Sequence, residues 1–239
     1  SEIFHPSEES MRDTQVKNWD KLAARALKDP DGFWADEAGE LEWYKKWDKV
    51  LEYNFSKPDI KWFLGGKLNA SVNCLDRHLN AGRKNKAAII WEADDGSYKT
   101  YTYGQLHLEV NRFANVLRKN GIRKGDRVAI YMPMIPELAI AMLGCARIGA
   151  IHSIVFGGFS SNALRDRIQD CGAKMVITSD HGVRGGKNVP LKANADLAAE
   201  ECPTVEKIIA VQRTDGASMR DGRDLWWHEL LDQFPETCE

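Results

Sequence analysis

Several absences narrow the chemistry of this 239-residue chain before any motif is read. Its five cysteines, Cys74, Cys145, Cys171, Cys202 and Cys238, are odd in number and scattered, and no C-x-x-C pair occurs. That usage fits reduced thiols in a cytoplasmic protein and argues against a disulfide framework. The six histidines include no i,i+4 pair and have no cysteine at ligand spacing, so no metal site is expected. Charge of one sign is not in excess: the net charge is −2, which gives no field to hold nucleic acid or an anionic membrane. The longest apolar run, "LAIAMLGCA" (138–146), is too short to span a bilayer. The opening "SEIFHPSEES" is not a basic segment followed by an apolar core, so no secretory signal is read there. There is no internal repeat, no low-complexity tract and no G-x-G-x-x-G fingerprint.

What is present is an ordinary globular balance, 43% hydrophobic and 28% charged, in a length that fits one large α/β domain or two modest ones. Two regions are expected: a Trp-rich helical arm over residues 1–80 and an α/β portion over 81–239. In the arm, Val16, Trp19, Leu22, Ala23 and Ala26 fall at helical spacing, and "KDPDG" ends that helix. A second helix is expected over "AGELEWYKKWDKVLEYN" (38–54). From residue 57 the chain reads as irregular, turning helical near Asn73.

Beyond Lys86 the pattern alternates. "AAIIWEA" and "YKTYTY", joined by "DDGS", read as a hairpin. Thr102 and Gln105 form a capping box for a helix whose stripe is Leu106, Val110, Phe113, Ala114 and Leu117 and whose C′ glycine is Gly121. "DRVAIYM", "AIHSIVF", "AKMVIT" and "VEKIIAV" read as strands, separated by helices at "PELAIAMLGCARIG", "SSNALRDRIQDCG" and "LKANADLAAEE". Successive βα units predict a parallel sheet with helices on both faces. A polar loop after Arg213 leads to a short amphipathic helix, "LWWHELLDQF".

Three stretches carry possible chemistry. Gly157-Gly158 follows a strand and precedes a helix capped by Ser160. It can be a floor for an anionic ligand or a tight turn holding nothing. The next strand ends in "TSDHGVRGGKNVPLK", which carries Arg184, Lys187 and Lys192, with Gly185-Gly186 flanked by the first two. Such cations can close on a phosphate or simply be solvated. Gly65-Gly66 is a further place for close backbone approach, followed by Asp76, read as a local ion pair with Arg77, and His78, read as a helix-face residue. No local signature marks a serine or cysteine nucleophile.

Three segments in order, "WFLGGKLNASVNCLDRHL", "IPELAIAMLGCARIGAIHSIVFGGFSSNALRDRI" and "VRGGKNVPLKANAD", resemble the AMP-forming acetyl-CoA synthetases of the adenylate-forming ligase superfamily. The likeness extends over nearly the whole chain, from the Trp-rich arm to "DLWWHELL". It implies part of the large N-terminal domain of such a ligase. The implied reaction has two steps: acetate attacks the α-phosphorus of ATP, with Mg²⁺ on the phosphates, and the CoA thiol then displaces AMP. It also implies that Phe156, Gly157 and Gly158 meet the adenine end of CoA, and that Arg184 and Lys187 hold its 3′-phosphate. Lys187 departs from the arginine frequent in the family, which keeps the charge and loses the fork. The family's Thr/Ser/Gly-rich phosphate loop does not occur in this sequence. The resemblance therefore implies that the remainder of the enzyme is the partner, that no catalytic residue lies in this chain, and that alone it does not adenylate acetate. Propionate or acetoacetate as the acid, or a non-catalytic CoA- or anion-binding module, are the alternatives. A partial sheet is also expected to leave an apolar patch exposed.

Overall fold

The computed structural model describes residues 4–214 and 216–238, apart from the side chain of Arg184. The chain forms two units, Ser1–Leu68 and Asn69–Glu239.

The first unit begins with α1 (Glu8–Asp13), α2 (Trp19–Lys28) and α3 (Pro30–Gly39). The "DPDG" stretch both ends α2 and starts α3: the Asp29 side chain accepts from the Gly32 amide at 3.0 Å, and Pro30 sits in the first turn, where its missing N–H costs nothing. The helix expected over 38–54 does not form as read. Its second half is β1 (Lys49–Asn54), paired antiparallel with β2 (Asp59–Leu64). Trp43, Trp47 and Leu51 satisfy helical spacing, yet the cross-strand pairs Leu51–Trp62 and Tyr53–Ile60 prevail, because large aromatic and aliphatic pairs stabilise a ladder. Trp43 and Trp47 still meet edge-on at 5.0 Å, both against Phe63. At Gly66 the close approach read from the sequence is made by the protein itself: a Cβ there would stand 2.7 Å from the Trp43 ring.

The second unit opens with a π-helical turn, Val72–Asp76, that runs into α4 (Arg77–Asn80). The sequence reading placed residues 69–80 with the arm. Here they group with the second unit, where the Asn69 side chain donates to the carbonyls of Ala146 and Arg147, both at 3.0 Å. The elements that follow are β3 (Ala87–Glu92), β4 (Tyr98–Thr102), α5 (Tyr103–Lys119), β5 (Arg127–Met132), α6 (Pro136–Arg147), β6 (Ile151–Phe156), α7 (Ser161–Cys171) and β7 (Met175–Ser179). They continue with β8 (Gly182–Arg184), β9 (Lys187–Val189), α8 (Leu191–Glu200), β10 (Lys207–Val211), β11 (Asp224–Trp226) and α9 (Trp227–Leu231). β3–β4 and β8–β9 are antiparallel hairpins. The stretch read as a plain polar loop after β7 is thus partly a hairpin, and "DLW" of the expected C-terminal helix is a strand.

The sheet has the order β11-β10-β7-β5-β6, parallel throughout. Val110 and Phe113 of α5 and Ile140 of α6 pack on one face, formed by Val128, Ile130, Ile177 and Ile209. Leu164 and Ile168 of α7 and Leu191 and Ala195 of α8 pack on the other, formed by Ala129, Tyr131, Val176 and Ile208. The chain leaves β5 outward to β6 and returns past it to β7. The neighbouring strands β5 and β7 therefore send their connections in opposite directions, and a crevice opens beyond their carboxyl ends.

Candidate functional site

A cleft of about 570 Å³ occupies that crevice. Its walls come from the ends of four strands: Met132–Ile135 after β5, Phe156–Gly158 after β6, Gly182, Val183, Gly186 and Val189 from the hairpin after β7, and Arg213 after β10. The remaining wall is the β3–β4 hairpin, Trp91 to Asp95, tied down by the Trp91 indole N–H donating to the Met134 carbonyl at 2.8 Å.

Gly157 has a packing reason to be glycine. A Cβ there would lie 3.0 Å from the Met132 carbonyl oxygen, so the exits of β5 and β6 run closer than a side chain allows. Phe156, 54% exposed, meets Phe159 edge-to-face at 5.6 Å. The Tyr131 hydroxyl donates to the Phe159 carbonyl at 2.5 Å, which fixes the turn. Burial raises the pKa of that hydroxyl, with the Asn194 hydrogen bond opposing.

The β8–β9 turn is Gly185-Gly186, with φ of +56° and +72°. Two left-handed residues make the hairpin turn that matches strand twist. Arg184 and Lys187 are thereby direct cross-strand partners. Lys187 is exposed and lies just outside the cleft lining, while the side chain of Arg184 is outside the described residues. The third cation of that segment is not available to a ligand. Lys192 is 2% exposed and donates to Asp196 at 2.8 Å, to Asp224 at 2.7 Å and to the Ser218 carbonyl at 3.2 Å. Arg223 joins both carboxylates, its Nε to Asp224 at 2.6 Å and a terminal nitrogen to Asp196.

Asp180 lies behind the cleft wall, bonded to the backbone of the lining residue Arg213. It is 1% exposed and accepts four hydrogen bonds, from the amides of His181 (2.6 Å), Arg213 (2.9 Å) and Thr214 (2.6 Å) and from the Thr214 hydroxyl (3.0 Å). The acidic turn opposite is also ordered: Ser97 donates to Asp95 from its hydroxyl at 2.6 Å and its amide at 2.9 Å. Those two bonds hold the Asp95 carboxyl below its ordinary range, with a lesser contribution from the Arg213 charge. Sequence reasoning found the glycine turns but missed Trp91, Met134, Asp180 and Arg213. The signal for Asp180 was its place one residue past a buried strand; the others depend on strand order.

Residues 75–235 match the family model described as AMP-binding enzyme, and residues 19–74 that described as Acetyl-coenzyme A synthetase N-terminus. The chain belongs to the AMP-binding enzyme family. Among curated members, the acetyl-coenzyme A synthetase of Gemmatimonas aurantiaca is 53% identical over 99% of this chain and 37% of its own length. That of Rubrobacter xylanophilus is 53% identical over 98% and 36%. The chain thus spans little more than a third of these curated AMP-binding enzymes. In fold it is similar to the acetoacetyl-CoA synthetase from Streptomyces lividans, with a TM-score of 0.81 over 93% of this chain and 34% of that one, at 24% identity. Among the described residues no helix is long and apolar enough to cross a membrane.

Proposed function

We propose that this chain is the N-terminal part of an AMP-forming acetate–CoA ligase, acting in the cytoplasm, and that its cleft receives the nucleotide end of CoA. The carrying observation is the 53% identity to acetyl-coenzyme A synthetases over 99% of the chain. It outweighs the 24% identity to an acetoacetyl-CoA synthetase, so acetate is preferred over longer acids. In this reading ATP, Mg²⁺ and acetate bind mainly through the remainder of the enzyme. Adenylation and thiol displacement depend on positioning and charge stabilisation, so the reading needs no nucleophile from these residues.

The geometry supports the CoA assignment in two ways. Phe156 and Gly157-Gly158 give an apolar floor and a low backbone at the end of a parallel strand, where a purine can lie flat. Arg184 and Lys187 oppose one another across a two-residue turn. Like charges in that register destabilise a hairpin, and a phosphate between them would convert the cost into two charge-assisted hydrogen bonds.

The test is to substitute this chain for the matching segment of the Gemmatimonas aurantiaca relative. The expected outcome is acetate-, ATP- and CoA-dependent formation of acetyl-CoA, and no acetate-dependent ATP–pyrophosphate exchange by the 239-residue chain alone. Arg184→Ala in the chimera is expected to weaken CoA by about 1.5–3 kcal/mol and to leave dephospho-CoA nearly unchanged. A folded but inactive chimera would favour the binding-module alternative. Equal losses for the two coenzymes would remove the 3′-phosphate from this turn.

A further inference from the structure

We infer that Arg213 is a ligand-binding cation of the cleft, taking a phosphate of the coenzyme, and that Asp180 is the residue that positions it. The inference deepens the reading of the cleft as a CoA site and rests on it. Arg213 lines the cleft at the end of β10, the strand next to β7, from which the hairpin with the other two cations follows. Among the described residues its guanidinium makes no hydrogen bond or ion pair; only its backbone amide is bonded, to Asp180 at 2.9 Å. The acid of the cleft that feels its charge, Asp95, is already held by Ser97, so this half-buried arginine keeps its fork free for an anion.

The backbone beneath it is held with unusual thoroughness. Asp180 follows the last residue of β7, and its own amide donates to the Val211 carbonyl at 2.9 Å. Its carboxylate then gathers the amides of Arg213 and Thr214 and the Thr214 hydroxyl. The same hydroxyl lies 3.0 Å from His181 Nδ1. A buried carboxylate with four donors forms a stiff, charge-assisted clamp. It joins the two loops that follow β7 and β10 and so sets where Arg213 stands relative to the β8–β9 hairpin. The Lys192 amide donates to the Asp180 carbonyl at 3.1 Å, so the start of α8 is registered to the same point.

The experiment is calorimetric titration of the 239-residue chain with CoA and with dephospho-CoA, for the wild type, Arg213→Gln, Asp180→Asn and the double variant. Arg213→Gln is expected to weaken CoA by about 10- to 100-fold, the usual effect of losing a charged hydrogen bond. If that loss persists with dephospho-CoA, Arg213 reads the diphosphate; if it vanishes, it reads the 3′-phosphate; either supports the assignment. Asp180→Asn is expected to weaken CoA in the wild-type background and to have no further effect once Arg213 is glutamine, because it acts through that side chain. An undiminished Asp180→Asn effect in the double variant would overturn the positioning role. Wild-type binding with an unaltered Arg213→Gln would overturn the inference and leave the CoA site standing, whereas absence of CoA binding by the wild type would overturn both. Should Asp180→Asn not fold, Thr214→Val carries the same cycle, since it removes only the hydroxyl contacts to Asp180 and His181.

Discussion

Asp76 takes its partner not from the neighbouring Arg77 but from the last residue of α6. Arg147 donates to its two carboxylate oxygens, both at 2.8 Å, and His107 Nε2 lies 3.2 Å away. Burial alone would raise the pKa of Asp76; the hydrogen bonds and charge of Arg147, then His107, outweigh burial and hold it below the ordinary value. A carboxyl depressed in the folded state contributes stability above its unfolded pKa of about 4 and loses it as pH falls through the lower folded value. Arg147→Ala is therefore expected to cost about 2–4 kcal/mol near pH 7, as when one partner of a largely buried pair is removed. The gap to wild type should narrow below about pH 4. Denaturant unfolding from pH 7 to pH 3 measures it, and a gap that stays constant would remove Asp76 as the titrating partner. The sequence could not show this pairing, nor the one that buries Lys192 between Asp196 and Asp224. Lys192 and Asp196 are an i,i+4 pair on α8, but Asp224, like Arg147 for Asp76, is brought in by packing, which a local reading does not see.

Elements were legible where their signals lie within one stretch of chain. Thr102 and Gln105 form the capping box read from their spacing, with both reciprocal bonds present. Ser160 caps α7, and Gly172 ends it at φ +61°. Strands β5, β6 and β10 fall within the apolar runs that announced them, and β7 runs one residue past its own, to Ser179. The failures are elements defined by a partner: β1 needs the pairing of β2, β11 needs the exposed edge of β10, and β8–β9 needs its turn. At that turn, Gly186 is left-handed and a Cβ there would meet nothing within 4 Å. Gly186→Ala thus meets backbone strain alone, about 1–2 kcal/mol. The expected result is faster amide exchange confined to 182–189, with global stability nearly unchanged and weaker CoA binding. Loss of protection throughout the central strands would mean that the hairpin is integral to the sheet rather than a flap on its rim.

At the scale of the molecule, the parallel α/β class could be read from the alternation of elements, but the position of the cleft could not, because it depends on strand order. The parallel direction of the strands brings the loops after all four to one rim; placing β5 between β6 and β7 opens the crevice there, and no local pattern states that order. The same order leaves β6 at the edge of the sheet, paired among the described strands only with β5. On β6, Ile154, in register with the fully buried Ile130, is 47% exposed, and Ile151 is exposed as well. These two aliphatic side chains stand exposed on an outer strand of the sheet. An uncovered strand edge bearing aliphatic side chains is a template for pairing with another copy. Sedimentation of the 239-residue chain is expected to show concentration-dependent self-association that Ile154→Lys suppresses, since a charge on the edge opposes pairing. Half-exposed already, Ile154 contributes little to the core, so the substitution should change unfolding stability by no more than about 1 kcal/mol. Association of equal strength in Ile154→Lys would place the contact elsewhere, and a chain monomeric at all concentrations would show that the twist and polar neighbours of β6 are protection enough.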